Sequence, residues 1–281
     1  PAKCPNGRYN PDVANCNVQI RPDIVTGGNP NLKPEEAKQR SLGFVLAPTA
    51  NFNVSVDWWQ IERFNTIRSG FNLSTMTANY PMYVSNFIRD SNGNITQIDQ
   101  RYINTGGTLT SGIELDANLR GELAGGNWNI HLNGNYLDTF KTKSFDSLPY
   151  TGNLVGEYER YFNLPIKWKH TLGFAWQKGN WAHSLTQVYR GGYKDWVPPG
   201  IANGYTPAVY NPKVDSYTLY NYSVSWTGID KLKLTFGIRN LLNTDPPFTL
   251  RYLDDGDGAA WEARVADPRG RAFNLMAEYA F

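Results

Sequence analysis

The last stretch of the chain, RAFNLMAEYAF from Arg271 to Phe281, places Phe273, Leu275, Ala277, Tyr279 and Phe281 on one face and Asn274, Met276 and Glu278 on the other. A period of two is that of a β-strand with unlike faces. The same alternation recurs upstream. Leu42, Phe44 and Leu46 share a side within Ser41 to Leu46. Beyond the turn APTAN, Phe52, Val54, Val56 and Trp58 alternate with Asn53, Ser55 and Asp57, which predicts a hairpin. Ile113, Leu115, Ala117 and Leu119 alternate with Glu114, Asp116 and Asn118. Past a Gly-rich turn at Gly121 to Gly126, Trp128, Ile130, Leu132, Gly134 and Tyr136 alternate with asparagines and His131. His170, Leu172, Phe174 and Trp176 lead through the tight turn KGN into Trp181 to Arg190. There His183 and Gln187 fall on the face of Trp181, Leu185 and Tyr189 and blur the phase. Tyr220, Tyr222, Val224 and Trp226, the turn TGID, and Leu232, Leu234, Phe236 and Ile238 complete the series before the terminal strand.

The pattern predicts about nine strands whose connections alternate between short and long. Pro1 to Ala37 is rich in Pro, Asn and Gly and reads as loop. Long irregular connections run from about Phe64 to Thr108, Thr142 to Pro165, Gly191 to Pro212 and Asn243 to Pro268. Outer-membrane barrels place short turns on the periplasmic side and long loops outside, whereas soluble sandwiches mix loop lengths without that order. The expected fold is therefore all-β: an antiparallel transmembrane β-barrel segment, with 1–37 an extracellular loop and 38–281 strands and loops.

The rings carry the same expectation. Phe52, Trp128, Trp176, Trp181, Trp226 and Phe281 stand beside short turns or at the end of the chain, which predicts one membrane girdle. Trp128 and Tyr136, Trp168 and Trp176, Trp181 and Tyr189, and Phe273 and Phe281 are each eight residues apart, so both rings of a pair face one way. At about 3.3 Å per residue and a tilt of about 40°, that step rises roughly 20 Å, against an apolar band of about 25 Å. Asp57, Glu114, Asp116, Asn129, Asn133, Lys169, Lys233, Arg239 and Glu278 lie on the opposite faces. A dry core would charge a large desolvation cost for them; a wet lumen keeps them hydrated. A soluble sheet with its aromatic face packed inward leaves the ring levels and the loop order unexplained.

Composition narrows the classes further. The chain has 281 residues, enough for a well-buried core, yet its mean hydropathy is −0.50 with 9 Trp and 17 Tyr, a mixture that suits two-faced strands. No run of about 18 apolar residues exists, which excludes a helical span. A net charge of +2 from 27 basic and 25 acidic residues gives no case for nucleic acid. Cys4 and Cys16 are the only cysteines and sit in one polar segment: a loop disulfide in an oxidising compartment, or two unpaired thiols. The chain opens at Pro1, as a processed or partial chain would.

GGNPNLKPEEAKQRSLGFVLAPTANFNVSVDWWQI, Gly27 to Ile61, resembles the stretch of TonB-dependent outer-membrane receptors in which an N-P-x-L-K-P-E segment opens a pair of barrel strands. FGIRNLLNTDPPF, Phe236 to Phe248, resembles their penultimate strand and its exit. ADPRGRAFNLMAEYAF, Ala266 to Phe281, resembles their last strand with its terminal Phe. The resemblance covers nearly the whole chain. It implies a larger barrel with an N-terminal plug, the TonB complex pulling on a short box before that plug, and a ligand held by outer loops. This sequence shows no plug, no box and too few strands, so it resembles the C-terminal part of such a barrel. The resemblance further implies that Phe281 is the signal read by the barrel-assembly machinery, and that outer-membrane lipid surrounds the strands.

Tyr80, Tyr83, Tyr150, Tyr158, Tyr161, Tyr193, Trp196, Tyr205, Tyr210 and Trp261 lie in the long loops. Rings with polar tips suit sugars or aromatic chelators, and Tyr83, Tyr193, Trp196, Tyr205 and Trp261 are the candidates; for any one of them loop packing is the favoured alternative, since rings usually anchor a loop. The acidic run LDDGDGAAWE, Leu253 to Glu262, lacks the spacing of a calcium loop and reads as a solvated turn. His131, His170 and His183 have no ligand spacing, and no nucleophile, nucleotide or phosphate motif is present, so neither metal, cofactor nor enzyme activity is expected. Three functions follow in order: energised uptake of a bulky nutrient such as an iron–siderophore or oligosaccharide, a passive porin-like channel, and a soluble aromatic-loop binding module.

Overall fold

Nine strands pair into one sheet in which order in space equals order along the chain. They are β1 (Glu36–Thr49), β2 (Phe52–Phe64), β3 (Gly107–Leu123), β4 (Gly126–Lys143), β5 (Trp168–Lys178), β6 (Trp181–Arg190), β7 (Tyr217–Ile229), β8 (Leu232–Arg239) and β9 (Ala272–Tyr279). The computed structural model describes residues 21–69, 71–158, 164–197, 199–204, 211–250 and 260–281. The chain divides into two units, and the larger, Ala37–Glu62, Thr108–Lys143 and Pro149–Phe281, holds the sheet. From β4 to β9 every pairing is antiparallel.

Register carries the alternation of single strands across the sheet. Ile130 pairs with Phe174, Phe174 with Leu185, Leu185 with Tyr222, Tyr222 with Ile238 and Ile238 with Phe273, an unbroken apolar row over six strands. One residue along, Asn129 pairs with Ala175, then Ser184, Ser223, Gly237 and Asn274 follow on the opposite face. A slip of one residue in any pairing would exchange the two faces, so the register is strongly specified. The apolar face has no cover among the described residues: Leu172, Phe174, Trp181, Phe236 and Phe273 are all exposed. Polar residues on the other face bind one another, with the Asn129 amide donating to Asn118 Oδ1 (3.0 Å) and His131 Nε2 2.8 Å from Asp116 Oδ2.

His183 and Gln187, which blurred the sequence phase, do sit on the apolar face, opposite Trp176 and Leu172. They are tolerated there because their polar atoms are engaged. Trp168 Nε1 donates to His170 Nδ1 (2.9 Å), His170 Nε2 is 3.0 Å from Gln187 Oε1, and the Gln187 amide donates to the Tyr220 hydroxyl (2.8 Å). His183 Nδ1 lies 2.7 Å from the Tyr222 hydroxyl. Gly134 fits the same face by close approach: a Cβ there would stand 2.4 Å from the Trp168 ring, so the indole takes the space the glycine leaves.

Strands β3 and β4 outrun their predicted lengths, because pairing continues past the stretch where alternate residues are apolar. Their turn is tight: Ala124 and Gly125 both have positive φ, 53° and 74°, as a two-residue hairpin turn requires. Trp176 Nε1 donates to the Leu123 carbonyl (3.1 Å) and Lys178 Nζ to that of Ala124 (2.8 Å), so β5 clamps this turn.

The smaller unit is Pro1–Glu36, Arg63–Gly107 and Ser144–Leu148. Most of it reads as loop in the sequence, yet it has its own core of Met76, Tyr83, Phe87 and Ile98. Strand Ile95–Asp99 pairs antiparallel with Phe87–Arg89 and parallel with Asp23–Val25. A six-residue helix, Leu73–Ala78, starts at Asn72, whose side chain accepts the Thr75 N–H (2.8 Å). Elements of three to six residues are too short to display a period, and their apolar partners come from separate segments; that is why alternation misses them.

Candidate ligand-facing loop cluster

In the larger unit, the connections after β4, β6 and β8 leave the sheet at one end and share a core. Leu164, Ile166, Tyr193, Val214 and Val265 are buried together, with Tyr158 packed against them. The short strand Tyr193–Lys194 pairs with Lys213–Val214, and Tyr158 N–H donates to the Lys194 carbonyl (2.9 Å).

Asp195 is the polar hub. Its side chain is in a residue only 5% exposed and accepts three donors: Thr249 Oγ1 (2.6 Å), Leu250 N–H (2.6 Å) and Trp196 N–H (2.8 Å). It thus ties the connection after β6 to the one after β8. Thr249 N–H donates in turn to the Ala260 carbonyl (3.1 Å), one residue before Trp261.

A second device is repeated. Glu262 accepts the Arg264 N–H (3.0 Å) and its guanidinium at Nε (3.0 Å) and Nη2 (2.8 Å), and Asp267 holds Arg269 in the same fork. Asp99 and Arg101 form this clasp in the smaller unit. A carboxylate two residues before an arginine closes both a backbone and a bidentate side-chain bond, which is strong for its length. The Arg264 guanidinium also lies 5.5 Å from the Tyr158 ring centroid. The Glu262 bond raises the Arg264 pKa, and burial raises that of Tyr193. The Arg269 bonds, then the nearby Arg239 charge, hold the Asp267 carboxyl well below the usual carboxylate range.

That shift has a testable sign. A depressed carboxylate pKa contributes stability that is fully present above the ordinary range near pH 4 and lost as pH falls through the folded value. Proteolysis of the segment 263–271 by an acid-active protease should accelerate as pH drops from about 5 to 2. In Asp267→Asn it should be faster at pH 5 and nearly flat with pH; an unchanged pH profile in the variant would remove Asp267 from this role.

The predicted ligand residues fall in different places. Tyr83 is buried in the core of the smaller unit, its ring 5.3 Å from Phe71 and 5.2 Å from Phe145. Tyr193 is buried in the loop core, and Trp196 and Trp261 are half-buried on segments that Asp195 and Thr249 bring together. The Tyr150 hydroxyl donates to Glu62 (2.9 Å). Tyr205, Cys4, Cys16 and most of the acidic run Leu253 to Glu262 lie outside the described residues. Trp128 pairs with Trp176, and Trp181 with Trp226 at 6.2 Å between rings, each beside a short turn; Phe52 opens β2. Phe281 is fully exposed past the end of β9. Sequence reasoning passed over Asp195, Arg264 and Asp267; the carboxylate-x-Arg spacing was the available signal for the last two.

Residues 6–241 match the family described as TonB dependent receptor-like, beta-barrel. The chain belongs to this family. It is a bacterial outer-membrane β-barrel family, and that membrane is where the protein resides. No curated protein sequence matches. Among solved structures, the siderophore receptor PirA from Acinetobacter baumannii is similar at 17% identity and TM-score 0.58, over 91% of this chain and 33% of that one. The outer membrane transporter YddB from Escherichia coli is similar at 14% identity and TM-score 0.59, over 94% and 35%. The ferric enterobactin receptor PfeA from Pseudomonas aeruginosa, as a G324V mutant, is similar at 15% identity and TM-score 0.56, over 89% and 32%. The chain thus spans about a third of the length of these three structures.

Proposed function

We propose that this chain supplies barrel wall and outer loops to a receptor that takes up a bulky nutrient across the outer membrane with energy delivered by the TonB complex. The observation that carries the reading is the uncovered apolar face, continuous over six strands and backed by a polar face, in a chain of this family. On this reading the apolar face meets lipid, Phe52, Trp128, Trp176, Trp181 and Trp226 form one girdle, and the polar face lines a lumen. The sheet is then one part of a closed barrel whose plug the TonB complex engages, and Phe281 is the signal for the barrel-assembly machinery. The loop cluster around Asp195 faces outward and, with Trp196, Tyr205 and Trp261, meets the ligand; Tyr193 supports it from within. Cys4 and Cys16 form a disulfide in an outer loop. Likeness to PirA and PfeA makes an iron–siderophore the first ligand class to test, with oligosaccharide second.

Cells carrying the full-length receptor should accumulate a ferric siderophore from a panel, and a protonophore should abolish that accumulation. Receptor-dependent uptake that survives the protonophore would instead indicate a passive channel.

A further inference from the structure

The end of the last long loop lies over the polar face of β6, β7 and β8 and leaves a half-open cavity of about 500 Å³ within the larger unit. Arg190, Arg239, Arg269 and Asp267 line it, so its described charged groups are three cations and one anion, for a net of +2. Asp267 is fully engaged. It takes Arg269 in a bidentate fork and one Nη2 of Arg239, while its backbone carbonyl accepts the Tyr217 hydroxyl (3.0 Å). Arg190 makes one bond, to the Val265 carbonyl, and Arg239 one bond, to Asp267. Each guanidinium has five donors, so most of these two forks remain unused among the described residues. Val188 and Leu219, paired across β6 and β7, give the same cavity an apolar wall.

Such a cavity has an unbalanced charge, spare planar donors and one greasy side. We propose that it is a binding subsite for an organic anion: a carboxylate on a compact apolar or aromatic body. The carboxylate meets the Arg190 and Arg239 forks, and the body lies against Val188 and Leu219. An inorganic anion would gain the charge but not the wall, and a neutral isostere the wall but not the charge. As the class of nutrient carried, this rests on the uptake reading; as a binding event, it does not.

The test is calorimetric titration of the full-length receptor, purified in detergent, with benzoate, benzamide and inorganic phosphate. Benzoate should bind, and benzamide and phosphate at least about tenfold more weakly. Arg190→Gln and Arg239→Gln should each weaken benzoate by about tenfold, while Arg190→Lys, which keeps the charge, should lose less than about threefold. Arg190→Lys also serves as the folding control. No benzoate binding, equal binding of benzamide, tighter binding of phosphate, or full benzoate affinity in both glutamine variants would each overturn the proposal. Benzoate binding needs no energy source. Its absence in a receptor that still shows protonophore-sensitive uptake sinks the subsite alone, and its presence without such uptake sinks the transport reading alone.

Discussion

Asp195→Ala should detach the connection after β6 from the one after β8, with a loss of about 3 kcal/mol from the loop cluster. The carboxylate sits in a residue 5% exposed and receives the Thr249 hydroxyl and the Leu250 and Trp196 N–H groups. Alanine leaves those donors without their acceptor in a place water reaches poorly, which is costlier than losing an exposed ion pair. Asp195→Asn keeps one acceptor oxygen and should lose less. The strand pairings of β4 to β9 do not involve Asp195, so the amount of receptor in the outer membrane should hold. Limited proteolysis of intact cells would read the effect as new cleavage within 191–216 and 240–250 and, on the proposed function, ligand uptake would fall with it. Wild-type protease resistance in Asp195→Ala would show that the hydrophobic core of Tyr193, Val214 and Val265 holds the loops without the hub.

How much of this the sequence carried depends on the range of the interaction. Each strand's faces were legible because a side chain's face is set by its own position modulo two; Phe174 needs no partner to be known as apolar-facing. Register then only had to align what each strand already displayed, as the row from Ile130 to Phe273 does. His183 and Gln187 blurred the phase because their hydrogen bonds to Tyr222 and Tyr220 come from a neighbouring strand. The loop cluster is the reverse case. Asp195 and Thr249 are 54 residues apart, and Arg190 reaches Val265 across 75; no local period joins them. For Tyr83 and Tyr193 the sequence leaves both ligand contact and loop packing open, because burial by a loop's own core depends on distant segments; in such a core the largest rings are the first to be buried. Local clasps such as Glu262 with Arg264 occupy the middle ground: their spacing is visible in sequence, their burial is not.

The largest expected contrast on the wall lies between two adjacent residues. Phe174 faces the apolar side between Ile130 and Leu185, and Ala175 the polar side between Asn129 and Ser184. If the apolar face meets hydrocarbon, Phe174→Arg places a guanidinium near the middle of the band at a cost of about 2–4 kcal/mol. Ala175→Arg adds the same charge to a wet wall and should change stability by less than about 1 kcal/mol. Urea unfolding of the two full-length variants in lipid vesicles compares them directly. Lipids brominated in the acyl chain should also quench the emission of Trp176, Trp181 and Trp226 in the wild type, since those rings stand on the same face beside the short turns. A soluble module with a packed aromatic face would share the sensitivity of Phe174 to charge, but it would come into buffer without detergent and its tryptophans would be blind to bromine. Equal costs for the two arginines would mean that the sheet separates no lipid from water, and the transport reading would fall with that separation.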